Sequence, residues 1–305
     1  MNITGPEGLL MATDDLMNSH RFLTLYGLRE THSDDKSLRF EALDGSGVEV
    51  RLLDDPELPP ANIGGPTLRA SIWGVRELAD LEAIAEELSK DRQVEWKGDV
   101  LQSTDDDRNA LFFRVTQRRK FVAPDRPKTN IPGYPPERKN ERVNFDDHGA
   151  PRQMGHVVYW TRNPKESIKF YRDRLGFRVT DSFRDNMGVF ARSAAHYDHH
   201  SLFLMRHEEI PPSFQHAEFT FGDPQDVMAG GYKLTKAGYE TAFGPGRFEL
   251  GSNWFWYLKT PMGGAFELAA DMDYADDDWV AGEYDHAGVT AGWHFKFNEE
   301  WSRQR

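Results

Sequence analysis

Residues 162–181 read RNPKESIKFYRDRLGFRVTD, and this stretch decides the fold because a short helix passes directly into a strand within it. Asn163 is a candidate N-cap, Pro164 suits the first helical position, and Glu166 has the spacing of a capping-box partner. Gly176 supplies the left-handed residue that ends such a helix. The apolar stripe at helical spacing consists of Ile168, Tyr171 and Leu175. The stretch therefore predicts a capped helix, a glycine turn and a strand.

The same pattern is repeated along the chain. TDDLMNSHRFLTLYGLRETH, residues 13–32, has Gly27 in the place of Gly176. A second pattern, in which a short strand precedes a helix and further strands, also occurs twice: strands at 67–74 and 216–222, helices at 76–90 and 225–239, and later strands at 110–115, 253–258 and 265–270. We therefore predict four βαβββ modules, two in each half, in an α+β fold with mostly antiparallel curved sheets.

Composition limits the organisation and the function. The 305 residues suffice for two domains, and a segment rich in proline and charge suggests the division 1–125, linker 126–150, 151–285 and tail 286–305. The 37 basic and 50 acidic residues give a net charge of −13, which disfavours nucleic acid as a partner. No stretch has the length of a membrane span and the start lacks the features of a signal peptide, so we expect a soluble cytoplasmic protein.

Without cysteine, a metal site can use only histidine and carboxylate ligands. Nine of the 11 histidines follow residue 147, so we expect the chemistry in the second half. Three strand segments there each place an ionisable residue among apolar neighbours: His156, His216 and Glu267. Two imidazoles and one carboxylate form the facial triad of non-haem Fe(II) enzymes. Glu218 is a rival carboxylate, because it shares a strand face with His216.

At these residues the chain resembles the type I extradiol ring-cleavage dioxygenases of the vicinal oxygen chelate superfamily. The order His, His, Glu matches, and in YLKTPMGGAFE, residues 257–267, the residues Tyr257, Pro261, Gly263 and Glu267 fill the family pattern in register. The run DHHSLFLM, residues 198–205, is similar to a family motif whose second histidine is the active-site acid/base. That position is His200, and we expect Leu202 and Leu204 on the same side of the strand.

The resemblance implies a vicinal oxygen chelate fold and Fe(II)-dependent extradiol cleavage of a catechol-type diol with O2, in aromatic-compound degradation. It implies His156, His216 and Glu267 as metal ligands, His200 as acid/base and Tyr257 as a hydrogen-bond donor to substrate. Family members form even-numbered homo-oligomers. Mn(II) or Zn(II) also suits these ligands, so a hydroquinone dioxygenase or a glyoxalase-like isomerase is the alternative, and a non-catalytic small-molecule binder is a third.

Several positions depart from the family pattern or stay open. Phe248 stands where the family has a histidine, which suggests a different substrate substituent pattern or proton route. The candidate pocket walls are Phe190, Phe248, Trp254 and Phe255. His286 and His294 could line the pocket or lie on the surface, and the acidic run 271–278 is expected to be a solvated tail.

The first half has lost the candidate site. Aligning the glycine turns and strands of the two halves places Glu7, Leu68 and Arg114 opposite His156, His216 and Glu267. One carboxylate, one aliphatic residue and one cation cannot hold a metal. We therefore expect the N-terminal half to be a non-catalytic duplicate.

Overall fold

The structure is a computed structural model and describes residues 1–125, 128–143, 149–285 and 292–295. The first half forms an eight-stranded sheet with two helices. Its strands are β1 (Ile3–Thr13), β2 (Arg29–Ser33), β3 (Ser37–Glu41), β4 (Gly47–Leu52), β5 (Thr67–Val75), β6 (Glu95–Lys97), β7 (Val100–Thr104) and β8 (Ala110–Val115), and its helices are α1 (Leu16–Tyr26) and α2 (Leu78–Leu88).

The second half forms a ten-stranded sheet with two helices. Its strands are β9 (Gln153–Thr161), β10 (Arg178–Phe183), β11 (Gly188–Arg192), β12 (Leu202–Arg206), β13 (Ser213–Thr220), β14 (Thr241–Arg247), β15 (Trp254–Lys259), β16 (Ala265–Ala270), β17 (Gly282–Tyr284) and β18 (Trp293–His294), and its helices are α3 (Pro164–Lys169) and α4 (Pro224–Lys236).

The four predicted βαβββ modules are confirmed, and the two halves share one topology. In the first half β1 pairs in parallel with β4 and antiparallel with β5, and β5 pairs in parallel with β8. The second half repeats this with β9, β12, β13 and β16. Most other pairs are antiparallel. The chain therefore has the vicinal oxygen chelate fold, with two further short strands, β17 and β18, at the edges of the second sheet.

The helix of residues 162–181 begins at Pro164 as predicted, but the prediction of a capping box was wrong. The Asn163 side chain caps no backbone N–H and instead accepts from Asn186 Nδ2 at 2.8 Å, while Glu166 pairs with Lys169. After Lys169 the helix widens into one π-helical turn over residues 170–174. Gly176, with φ of +76°, ends it in the predicted left-handed conformation.

The two halves share a continuous hydrophobic core, because a helix of each half packs against the other half. From α1, Phe22 and Tyr26 place their rings edge-on to Phe266 of β16, at 5.8 and 5.7 Å between centroids. The Tyr26 hydroxyl also donates to the backbone carbonyl of Glu267 at 2.6 Å. From the other side, Trp73 of β5 meets Phe177 at 5.3 Å. The N-terminal half thus supports the strand that carries the candidate carboxylate ligand.

A buried carboxyl group also joins the halves. Asp105, between β7 and β8, accepts a hydrogen bond of 2.7 Å from the Tyr171 hydroxyl and is also bonded to Asn109. Burial raises the pKa of Asp105 to about 6, because desolvation outweighs the hydrogen bonds from Asn109 and Tyr171 that favour its charged form. The folded protein therefore favours the protonated group more than the unfolded chain does.

We expect Asp105→Asn to remove a pH dependence of stability. Since the pKa of the folded state lies above the usual carboxyl value, the contribution of Asp105 is fully present below about pH 4 and is lost as the pH rises through about 6. The loss amounts to about 3 kcal/mol at about 1.4 kcal/mol per pKa unit. Urea unfolding of both proteins at pH 4 and pH 7 checks this. A difference between them that stays constant with pH would contradict the assignment.

The acidic run is more ordered than the expected solvated tail. Its carboxylates are largely exposed, but Ala275 is fully buried and donates through its backbone N–H to Tyr197. Asp277 pairs with the buried Arg192 at 2.6 Å. The carboxylates are largely exposed to solvent as expected, but the backbone of the run, which charge patterning does not describe, bonds to the loop before β12. No helix within the described residues is long and apolar enough to cross a membrane.

Candidate metal centre

Neighbouring strands of the second sheet bring the predicted site residues together on one face. In the order β9, β13, β16, β15, they carry His156, His216, Glu267 and Tyr257, and His200 lies just before β12, next to β9. Tyr257 is directly opposite Glu267 in the ladder. A bulge at Gln215 in β13 interrupts the alternation just before His216, and bulges commonly redirect a side chain beside a functional site.

Three atoms of this set converge on one point. His156 Nε2 lies 3.0 Å from His216 Nε2, and Glu267 Oε2 lies 3.1 and 3.2 Å from these nitrogens. All three residues are at least 97% buried. Within the described parts of the chain, they form the group of histidine and acidic residues that could hold a metal ion.

The donor set fits a divalent metal. Ligand atoms that share a face of an octahedron lie about 3.0 Å apart when the metal–ligand bonds are about 2.1 Å, and the three observed separations are close to that value. Glu267 Oε2 is buried without a hydrogen bond, although burial of an unsatisfied carboxylate oxygen is costly. A bound cation would satisfy this oxygen and both imidazole nitrogens.

The ionisation of the set also suits metal binding. Burial alone would raise the pKa of Glu267, but the close approach of the His156 and His216 imidazoles to its carboxylate outweighs burial and lowers that pKa to about 2. Burial lowers the pKa of His216 to about 4. At neutral pH the pair therefore consists of a carboxylate and a neutral imidazole, which are the forms that bind metals.

Further side chains hold the three ligands in place. Glu267 Oε1 accepts a hydrogen bond of 3.0 Å from Asn253 Nδ2, and His216 Nδ1 contacts Gln215 Oε1. Such partners fix the orientation of metal ligands. Sequence reasoning missed both residues. The signal for Asn253 was a single amide beside the aromatic run 254–257, in a position that proves to be buried.

The rival carboxylate, Glu218, shares the strand face of His216 as expected but lies behind the triad. Its Oε2 is 3.8 Å from His156 Nδ1, the ring nitrogen that points away from Glu267. Burial and then the charge of Glu267 raise the pKa of Glu218 well above its usual value, which favours a neutral side chain. Glu218 therefore lies near His156 without a hydrogen bond to it and is not a fourth converging ligand.

The structure separates the adjacent histidines. The His200 ring stacks on His156 with centroids 4.3 Å apart, whereas His199 turns away and meets Asp181 at 2.7 Å. Burial, followed by the proximity of His156, lowers the pKa of His200 well below its usual value, so it is a neutral imidazole. The expectation for Leu202 and Leu204 was wrong: both belong to the main core, on the other face of β12.

Tyr257 lies at the other side of the triad, with its ring 4.7 Å from that of His216. Burial, and then the charge of Glu267, raise the pKa of Tyr257 well above its usual value, so the hydroxyl remains a donor. The ring of Phe248 lies 6.3 Å from Tyr257 and stacks on Phe255 at 4.0 Å. An apolar ring thus lies beside Tyr257 at position 248.

The four candidate pocket walls differ in placement. Phe190 lies 5.0 Å from His200, and Phe248 lies near Tyr257. Phe255 is on the site face but fully buried beneath Phe248. Trp254 is on the opposite face of β15 from Tyr257, where it packs at 5.0 Å on Trp293, so its inclusion among the walls was wrong. Strand alternation explains this, since neighbours in a strand point to opposite faces.

The remaining histidines lie apart from the triad or beyond the described residues. His294 of β18 is exposed and its ring meets Phe243 at 5.1 Å. His286 lies outside the residues that the structure describes.

In the first half, two of the three counterpart positions meet as an ion pair. Glu7 is buried, and its Oε2 lies 3.5 Å from Arg114 Nε and accepts from the backbone N–H of Gln117 at 3.1 Å. Leu68 pairs with Met11 on β1, four residues beyond Glu7. The guanidinium therefore supplies the cation beside this buried carboxylate.

Comparison with known proteins agrees with the fold. Residues 153–268 match the Glyoxalase/Bleomycin resistance protein/Dioxygenase superfamily. Metapyrocatechase 2 of Cupriavidus necator is 36% identical over 136 residues, which cover 44% of this chain and 42% of that protein. The chain thus matches less than half of this relative's length. A manganese-dependent 2,3-dihydroxybiphenyl 1,2-dioxygenase of Geobacillus genomosp. 3 is 26% identical over 235 residues, 72% of each protein.

A solved structure is similar over nearly the whole chain. The Mn(II)-bound glyoxalase from Novosphingobium aromaticivorans has a TM-score of 0.75 and 19% identity, with 96% of this chain and 91% of that chain covered. At this identity the likeness concerns the fold. The matched residues 153–268 contain His156, His216 and Glu267, so the triad lies in the part of the chain that is similar to the Glyoxalase/Bleomycin resistance protein/Dioxygenase superfamily.

Proposed function

We propose that this protein is an extradiol dioxygenase, which opens the ring of a catechol-type aromatic diol with O2 on a divalent metal. The observation that carries the proposal is the convergence of His156 Nε2, His216 Nε2 and Glu267 Oε2 at 3.0 to 3.2 Å. Three protein ligands on one face leave other coordination positions for substrate and oxygen. The sequence relatives that are named for diol dioxygenases support the same reaction.

The metal, when bound, supplies Lewis acidity and a template on which diol and oxygen meet. The residues around it then have separate tasks. His200, a neutral imidazole beside His156, accepts a proton from the diol hydroxyl and later returns one. Tyr257, a protonated donor beside His216, stabilises negative charge that develops on a substrate oxygen. Phe190 and Phe248 provide apolar contacts for an aromatic ring.

We propose Fe(II) as the resident metal, with Mn(II) as the alternative. Two imidazoles and one carboxylate in facial arrangement are typical of non-haem Fe(II) oxygenases. The same donors accept Mn(II), and one relative is named as manganese-dependent. We further propose that residues 1–125 form a non-catalytic half, since Glu7 and Arg114 neutralise each other there. The predicted cytoplasmic location and even-numbered homo-oligomer remain predictions.

The decisive experiment combines metal analysis with oxygen uptake. Anaerobically purified protein is loaded separately with Fe(II), Mn(II) or Zn(II) and mixed with a panel of catechols. We expect one O2 consumed for each diol and a yellow ring-opened semialdehyde with Fe(II). Turnover with Mn(II) alone would replace the metal assignment. Absence of turnover with every diol, together with isomerisation of a glyoxalase substrate, would instead favour the glyoxalase-like alternative.

We expect Tyr257→Phe to lower kcat about 100-fold, because one donor to the developing oxyanion is lost. The ring itself remains, so the contact with His216 at 4.7 Å and the metal content should not change. Stopped-flow kinetics with metal analysis measures both. Tyr232→Phe is the matched control, since Tyr232 lies on α4 and is exposed. An unchanged kcat would remove Tyr257 from the reaction.

A further inference from the structure

Outside the metal triad, Asp181, His199 and His200 form a buried hydrogen-bond chain, and His200 is its last member. Its Nδ1 is 3.0 Å from His199 Nδ1, and His199 Nε2 is 2.7 Å from Asp181 Oδ2. His199 is fully buried and Asp181 is 2% exposed, so water does not compete for these bonds. Among the described residues, none forms a hydrogen bond with His200 Nε2, the ring nitrogen at the end of this hydrogen-bond chain.

The surrounding strands hold this chain in place. A bulge at Thr180 shifts the register of β10 just before Asp181, which then pairs with Phe190 of β11. The other oxygen of Asp181, Oδ1, accepts from the backbone N–H of Gly282 at 2.7 Å. The backbone N–H of His199 donates to the carbonyl of Asp273 at 2.8 Å. Segments on both sides of the chain thus fix its first two members.

The direction of the hydrogen bonds follows from the carboxylate. An ionised carboxylate only accepts, so His199 must donate through Nε2 to Asp181. A neutral His199 then has a lone pair on Nδ1, and the contact between the two Nδ1 atoms requires His200 to be the donor. The proton of a neutral His200 is therefore on Nδ1, and its Nε2 has the free lone pair.

We propose that Asp181 and His199 are positioning residues that hold His200 in its Nδ1–H tautomer, so that Nε2 accepts the proton of the diol substrate. The identity of the proton donor rests on the proposed function, whereas the tautomer rests on the hydrogen bonds alone. When the proton moves from the diol hydroxyl to Nε2, His200 becomes an imidazolium. Its positive charge is stabilised through His199 by the Asp181 carboxylate.

The substitution Asp181→Asn reverses the direction of the hydrogen bonds along Asp181, His199 and His200, with little change in side-chain volume. With the amide oxygen on the Gly282 N–H, the amide nitrogen donates to His199 Nε2. His199 must then carry its proton on Nδ1 and donate to His200, which moves the His200 proton to Nε2. In the Ser-His-Asp triad the corresponding change also produces a wrong tautomer, with a loss of about 10⁴ in kcat.

Long-range 1H–15N NMR tests the tautomers directly. The spectra are recorded on the diamagnetic Zn(II) form and on the metal-free protein, and the two histidines are assigned with His199→Gln and His200→Gln. We expect Nε2–H on His199 and Nδ1–H on His200 in the native sequence, and the reverse in Asp181→Asn. Identical tautomers in both proteins, or Nε2–H on His200 in the native sequence, would overturn the proposal.

Kinetics provides the second arm. We expect Asp181→Asn to lower kcat about 10- to 100-fold while KM for the diol and the metal content stay unchanged. Asp181→Glu, which retains a carboxylate, should recover part of the rate, and the exposed Asp173→Asn is the matched control. A fall in metal content together with kcat would instead show that Asp181 has only a structural role. If the native protein cleaves no diol, the proposed function fails, and the NMR result still decides the tautomer.

Discussion

Glu267→Gln is expected to abolish metal retention and, with it, ring cleavage. The amide keeps the size of the side chain and its bond to Asn253, but it removes the negative charge that faces His156 and His216. Loss of an outer-shell partner typically costs 10- to 100-fold in metal affinity, so loss of a ligand should cost at least about 100-fold. Metal content after desalting and oxygen uptake with the best diol measure the effect.

Glu218→Gln is the matched control for that variant. Glu218 lies on the neighbouring strand, is equally buried and favours its neutral form, which glutamine imitates. This protein should keep its metal. Should Glu218→Gln lose the metal while Glu267→Gln retains it, the wrong carboxylate has been chosen.

His200→Gln is expected to lower kcat by about 10²- to 10⁴-fold, the usual contribution of a positioned acid/base group. The side chain stacks on His156 but lies outside the converging triad, so metal content and KM for the diol should change only a few-fold. Rapid mixing of the anaerobic enzyme and diol complex with O2, followed by semialdehyde absorbance, separates kcat from binding.

The control for His200 is His32→Gln, which makes the same replacement at an exposed histidine of β2. That variant should keep the full rate. Equal rates for His200→Gln and the native protein would exclude His200 as the acid/base, whereas loss of metal from it would indicate a supporting role for His156.

Much of the fold could be predicted because local signals agree with the tertiary structure. The glycines at 27 and 176 both end helices in the left-handed conformation, which few other residues adopt easily. The repetition of these signals gave the four modules. The two histidines and Glu267 could be selected because an ionisable residue in an apolar strand needs a partner.

The predictions that were wrong depend on contacts between distant residues, which a single stretch of sequence cannot reveal. The Asn163 side chain does not cap α3 because it accepts a hydrogen bond from Asn186, 23 residues later. Leu202 and Leu204 were placed with His200 by strand alternation, but β12 begins only at Leu202, so alternation does not extend back to the histidine. Asp181 acquires its partner His199 only when two loops and a bulged strand come together.

The ion pair of Glu7 and Arg114 has a consequence for how the two halves depend on their surroundings. At corresponding places in a duplicated fold, the first half carries a cation that is covalently part of the chain, whereas on the proposed function the second half takes its cation from solution. A chelator that removes this metal ion would therefore remove a positive charge from the second half and none from the first half. On the same proposal, the first half keeps its Glu7–Arg114 ion pair whether or not a metal is bound in the second half.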